Sequence, residues 1–335
     1  MTPSFSASRL AWVLAVCAGV VAVSSLVALA VGQQPLTLTG VLTPGSTEAL
    51  VFFSLRLPRV VLTLVVGAAL AASGAALQAL TRNPLADPFI LGVSGGAALG
   101  ATVALALGLT VSVAGLGAPS VFAMVGAVGA TAVVLSVGRI AGGARSHATL
   151  LAGVIFNAFA LAAIVFIKTL VAPDKLGEIL FWLAGTLGHE APSTLAAAAV
   201  VVAGCLAVLV AQAGRLNVLL LGDADARSLG LDVGRTRLVV FVAASVAVAT
   251  AASMTGLIGF VGLLVPHLAR LLFGTDQRVL VPASALLGAA FLALADATAR
   301  ALFHVFNTEP PVGVVTALLG APAFLALLVK RGPSR

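Results

Sequence analysis

The chain has 335 residues, of which 61% are hydrophobic, 9% charged and 5% aromatic, with a net charge of +7. Its mean hydropathy of +1.18 is more than one soluble core can bury, since soluble domains run at roughly 45–50% apolar; lipid must therefore be the solvent for most of the surface. The basic excess does not indicate nucleic acid, because such proteins interleave aromatics with a basic face.

Ten apolar spans are predicted, near 9–32, 58–81, 92–110, 119–140, 147–171, 193–213, 236–254, 256–273, 279–304 and 311–330. Most reach the roughly 17–25 residues that a helix needs to cross the hydrocarbon. The first continues to about Val31, too long for a cleaved signal sequence, and holds Cys17 as a buried small hydrophobe. Cys205 reads the same way. The third span opens with Gly92, Gly95 and Gly96, and the eighth carries Pro266 and His267. Each of these interrupted spans precedes two longer ones, a weak correspondence between two halves of the kind transporters show.

With the N-terminus inside, thirteen basic residues fall on the cytoplasmic side: Arg9, Arg82, Arg139, Arg145, Arg215, Arg227, Arg235, Arg237, Arg270, Arg278, Lys330, Arg331 and Arg335. Arg56, Arg59, Lys168, Lys175 and Arg300 remain outside. The bias follows the positive-inside rule with both termini cytoplasmic, which fits an even number of spans. The predicted fold is an all-α integral membrane protein of about ten transmembrane helices, a single domain over 1–335.

The polar stretches are short, about 33–57, 172–192 and 214–235. The last is the most informative. Asp223 and Asp225 favour the positive end of a short helix, Gly230 can adopt the left-handed conformation that stops it, and Asp232 can cap the next span. A short helix on the cytoplasmic face is expected, either a capped connector or a surface that a partner pushes against.

Several chemistries are missing from the sequence. There is no G-x-x-x-x-G-K-[ST] phosphate loop. His147, His189, His267 and His304 are scattered, without metal-ligand spacing. There is no G-x-S-x-G elbow or H-E-x-x-H pair. An ion-coupled secondary transporter, the alternative of another class, would place carboxylates near the midplane. The best candidate is Asp296, and Arg300 four residues on can neutralise it. The energy source is expected on another chain.

Specific motifs run along most of the chain. They are Arg56-Leu57-Pro58-Arg59; Gly67 to Leu70; Ser73-Gly74 and Gln78; Arg82-Asn83-Pro84-Leu85-Ala86-Asp87-Pro88; and Leu91 to Gly95. Phe181 to Gly185 follows, then Leu221-Gly222 with Ala226 and Ser228-Leu229-Gly230. The series continues with Gly259 to Arg270, Asp296 with Arg300, Glu309 to Gly313 and Gly320-Ala321-Pro322. With these the chain resembles the permease family of bacterial ABC importers for iron-siderophores, haem and vitamin B12. Thr186, where the family often has Ser, keeps the hydroxyl.

The resemblance implies a ten-helix subunit of the cytoplasmic membrane of a bacterium. It would pair with a second copy or a paralogous permease. Two cytoplasmic ATPase subunits would hold ATP and Mg, and an extracytoplasmic binding protein would deliver the cargo. No cofactor is implied on this chain, and no enzymatic activity. An iron-siderophore is the expected cargo, with vitamin B12 or haem as alternatives. Arg56, Arg59 and Arg300 would dock the binding protein through its carboxylates, although Arg59 can equally pack within the protein and Arg300 can pair Asp296. Ala226, Ser228, Leu229 and Gly230, with Arg270, would contact the ATPase, making 214–235 a coupling loop. Asn83, Pro84, Leu85, Asp87 and Pro88 would shape the cytoplasmic gate, unless they are only a rigid turn. Pro266 and His267 read as structural, and Glu309 as a carboxylate favouring the start of the tenth span.

Overall fold

The computed structural model describes residues 6–32, 34–113, 115–140, 146–188 and 190–330. Arg145, His189, Arg331 and Arg335 lie outside the described residues, as do the side chains of Arg139, His147 and Lys330.

The chain is a bundle of helices, most of them at the predicted places. They are α1 (Ala7–Ala30), α2 (Leu38–Leu42), α3 (Thr47–Val51), α4 (Leu57–Thr81), α5 (Val93–Ala106), α6 (Ala118–Ile140) and α7 (Ser146–Leu170). Then come α8 (Pro173–Leu183), α9 (Pro192–Leu220), α10 (Asp223–Ser228), α11 (Val233–Thr255), α12 (Val261–Phe273), α13 (Gln277–Phe306) and α14 (Val312–Lys330). A π-helical turn (Phe52–Arg56) feeds α4, and a 3-10 turn (Pro88–Leu91) leads to α5. The only sheet among the described residues is a two-residue ribbon pairing Ser112–Val113 with Leu116–Gly117.

Among the described residues, seven helices are long and apolar enough to cross a membrane, and α5, α12 and α14 are shorter apolar helices that bring the number to ten. The centre is built from α4 and α11, each 78% buried along its apolar stretch, and α13 at 72%. Around them α1, α6, α7 and α9 leave most of their apolar surface open, as Val23, Leu26, Ile155, Phe159 and Val200 show. Lipid accounts for such a surface; water does not.

The helices meet through small residues. A Cβ on Gly67 would overlap the Gly288 carbonyl of α13, and one on Gly74 the Gly262 carbonyl of α12. In lipid the hydrophobic effect does not drive helices together, so close backbone approach and dispersion contacts must do so.

Three departures from expectation have a clear local reason. The polar stretch 172–192 carries α8. Pro173 starts it, Lys175 and Glu178 pair on one side at 2.9 Å, and Ile179 is fully buried on the other. Helix α9 continues seven residues past the predicted end, because Leu216 and Leu219 extend the buried face of Leu209 and Ala213. Helix α12 starts at Val261 rather than near 256, since Gly256 (φ +69°) and Phe260 (φ +68°) break the chain. The correspondence of halves is visible here: α5 and α12, 14 and 13 residues long, each follow a central buried helix across a left-handed residue, Gly92 or Phe260.

Candidate functional site

Two polar clusters sit at opposite ends of α4. The first lies at its start. Asp296 of α13 is fully buried and accepts from Arg59 Nε at 2.9 Å and Nη2 at 2.7 Å through one carboxylate oxygen. Its other oxygen accepts from Arg300 Nε at 3.0 Å. Arg59 also pairs with Glu309, and Arg300 donates to the Val31 carbonyl. Arg56 donates to the carbonyls of Leu29 (2.9 Å), Ala30 (3.2 Å) and Gln34. These arginines, Glu309 and Leu187 line a cavity of about 360 Å³.

Arg59 packs within the protein and Arg300 pairs Asp296, the alternatives to docking, while Arg56 is tied to the end of α1. Arg56 is 6% exposed and Arg300 5%. The physical reason is the end of α1, whose last carbonyls lack helical partners and carry partial negative charge. A guanidinium with five donors satisfies them. In this conformation Arg56 braces the end of α1 against the start of α4, and Arg300 braces it against α13. Arg59 retains 20% of its side-chain surface. Glu309, three residues ahead of the start of α14, pairs with Arg59.

The second cluster lies at the end of α4. Arg82 there takes a left-handed conformation (φ +53°). The turn that follows is rigid. Asn83 Oδ1 accepts from the Leu85 N–H at 2.9 Å, and Asp87 Oδ1 from the Phe89 N–H at 2.9 Å. Asn157 of α7 donates to the Phe89 carbonyl at 2.7 Å and accepts from the Gly95 N–H at 3.2 Å, fastening the turn to α5. Asn83, Pro84 and Leu85 are exposed, whereas Pro88 is buried.

Asp87 is half-buried, and desolvation pushes its carboxyl up to about 6, with the Phe89 N–H pulling the other way. The folded protein therefore binds more protons than the unfolded chain between about pH 4 and 6. Stability contributed by this residue falls as pH rises through that window and stays low above it. Asp87→Asn keeps the acceptor and should remove the slope, raising stability at pH 7 relative to the parent. Detergent-phase unfolding at pH 4.5 and pH 7 checks this.

Beside the turn lies α10. Gly222 (φ +121°) and Gly230 (φ +82°) flank it, and Asp232 Oδ1 accepts from the Arg235 N–H at 2.9 Å to start α11. Leu229 is 65% exposed, and Ser228 and Gly230 are exposed with it. Ala226 is fully buried, so it anchors α10 inward and is corrected as a contact for an outside partner. Asp223 Oδ1 accepts from Arg82 and from Arg237, both at 2.8 Å.

Arg270 is half-buried and donates to Gln78 Oε1 at 2.9 Å, tying α12 to α4. Gln78 in turn donates to the Gly262 carbonyl at 3.3 Å. Pro266 has no N–H to give that carbonyl, four residues earlier in α12; Gln78 supplies the missing donor. His267 is buried with its ring edge-on to Phe324, centroids 5.6 Å apart, a packed position as expected. Asp276 lies outside the spans. Arg278 first, then Asn217, holds its carboxyl down at about 2, and Asn217 joins α9 to α13 at 2.7 Å.

Sequence reasoning missed the roles of Gln78, Asn157 and Asn217, and treated Asp223 only as a helix-end charge. Asn157 offered a signal, a lone amide inside an apolar span, which lipid makes costly unless it is partnered.

A bundle of ten apolar helices with small-residue crossings and polar clusters at both ends is a multi-pass membrane transport protein. The chain belongs to the FecCD transport family, whose profile matches residues 20–330, and is an ABC importer permease of the inner membrane. It is 47% identical over 286 residues to the cobalamin import system permease protein of Halobacterium salinarum, covering 85% of this chain and 75% of that one. It is 39% identical over 288 residues to the hemin transport system permease protein of Yersinia pestis, covering 85% of each chain. The Fe(3+) dicitrate transport system permease protein of Escherichia coli is 39% identical over 290 residues, covering 87% of this chain and 86% of that one. Among solved structures, an inward-facing conformation of a metal-chelate type ABC transporter superposes with a TM-score of 0.83 at 31% identity. That match covers 96% of this chain and 99% of the other.

Proposed function

We propose that this permease passes an intact metal chelate across the membrane, with a ferric siderophore as cargo, driven by ATPase subunits on separate chains and supplied by a binding protein. The observation that carries the reading is the family match over residues 20–330 on a chain without a phosphate loop of its own. A second reading, cobalamin, is favoured by the 47% identity to the Halobacterium permease. In either case the metal travels inside its chelate, so the chain needs no ligand set of its own. Uptake by proteoliposomes holding the permease, its ATPase and its binding protein tests this. ATP-dependent accumulation of a labelled ferric siderophore supports the first reading, and of cobalamin the second. Uptake driven by an ion gradient through this chain alone would overturn both.

The mechanism is alternating access. ATP binding draws the ATPase subunits together, and near-rigid helices of two permease copies tilt in response. The exposed edge of α10, Ser228 to Gly230, is the contact that receives the motion, and the Asn83–Pro88 turn beside it shapes the gate. Binding-protein docking falls on Arg59, whose planar fork suits a carboxylate. Leu229→Asp should lower ATP-driven uptake at least tenfold while moving unfolding by less than about 0.5 kcal/mol, as suits an exposed side chain. Normal uptake in that variant would place the ATPase contact elsewhere.

A further inference from the structure

We infer that Asp223 is the positioning residue through which motion of α10 reaches the inner ends of α4 and α12. The inference rests on the importer reading above and deepens it. Three observations support the assignment.

First, a single oxygen, Asp223 Oδ1, joins three elements: α10 itself, Arg82 at the end of α4, and Arg237 of α11, each guanidinium at 2.8 Å. A shared charge-assisted acceptor is stiffer and more directional than an apolar contact. Arg237 is 9% exposed and Asp223 28%, so salt screens that bridge only in part, whereas Arg82 is 39% exposed and its bridge to Asp223 weakens more with salt.

Second, α10 has few other attachments. It is six residues long and flanked by two positive-φ glycines. Ala226 is its one buried side chain. Such an element can pivot at Gly222 and Gly230, and the Asp223 bridges decide what moves with it.

Third, Arg82 is rooted firmly. Its N–H is bonded to the Ala79 carbonyl at 3.2 Å and the next N–H to the Gln78 carbonyl at 3.1 Å, closing α4. Gln78 reaches on to the Gly262 carbonyl of α12, and Arg270 returns to Gln78. A displacement at Asp223 therefore runs through Arg82 into the end of α4, and from Gln78 into α12. The Asn83–Pro88 turn starts at the same residue and moves with it.

The experiment uses the full transporter, permease with ATPase and binding protein, in proteoliposomes, and reads cargo imported per ATP hydrolysed. Asp223→Asn keeps the shape and loses the charge; the ratio is expected to fall at least fivefold, and Asp223→Glu to recover at least half of it. Arg82→Gln should reproduce the loss, and the double variant Asp223→Asn with Arg82→Gln should be no worse than either single one. A wild-type ratio in Asp223→Asn, or losses that multiply in the double variant, would overturn the inference. So would collapse of the folded complex in both single variants, which would leave Asp223 a purely structural role. If the wild type itself shows no ATP-driven uptake, the importer reading fails, a result distinct from the others.

Discussion

Asp296→Ala is expected to destabilise the folded chain by about 3–5 kcal/mol, the usual cost of removing one partner of a buried charge cluster. The carboxylate is fully buried and takes three of the donors that Arg59 and Arg300 offer. Without it two guanidiniums face each other where water enters poorly, and only Glu309 still offsets Arg59. The damage should spread, because Arg300 holds the end of α1 through Val31 and Arg59 fixes the start of α4. Asp296→Asn retains an acceptor and should cost less. Thermal unfolding in detergent orders the three proteins; an Ala variant as stable as the parent would remove the cluster from any account of how α1, α4 and α13 hold together.

A second loss is expected from Gly74→Val. The first added carbon would occupy the space of the Gly262 carbonyl, and both sides of that contact are backbone, so no side chain can rotate away. Overpacking in a close-packed interior costs typically about 1–3 kcal/mol. Here it would also pull Gly262 from the Gln78 amide that replaces the donor Pro266 lacks. Gly204→Val is the control, since a Cβ there meets nothing within 4 Å. The yield of monodisperse protein should fall sharply for the first variant and hold for the second. Equal yields would mean α4 and α12 can slide apart at little cost.

The spans were legible because hydrocarbon thickness imposes one length on every crossing helix, and an apolar run of that length has few other readings. The α10 region was legible for another reason. Asp223, Gly230 and Asp232 are local signals, and capping involves only residues a few positions apart. What stayed hidden depends on distance in sequence. That Arg56 would be drawn to the end of α1, that Arg270 would turn to Gln78, or that Asp223 would join Arg82 to Arg237 follows from how helices lie side by side. No spacing along the chain encodes that. Ala226 shows the same limit: its residue type suits a partner's groove or the protein's own interior equally well, and only packing decides.

The two cysteines carry a practical consequence. Cys17 is fully buried between α1 and α13, and Cys205 on α9 is half-buried. A thiol reagent should therefore reach only Cys205 at any speed, and one replacement there would give a background nearly silent to spin labels and fluorophores. Reporter pairs placed across the bundle could then follow its opening and closing in real time.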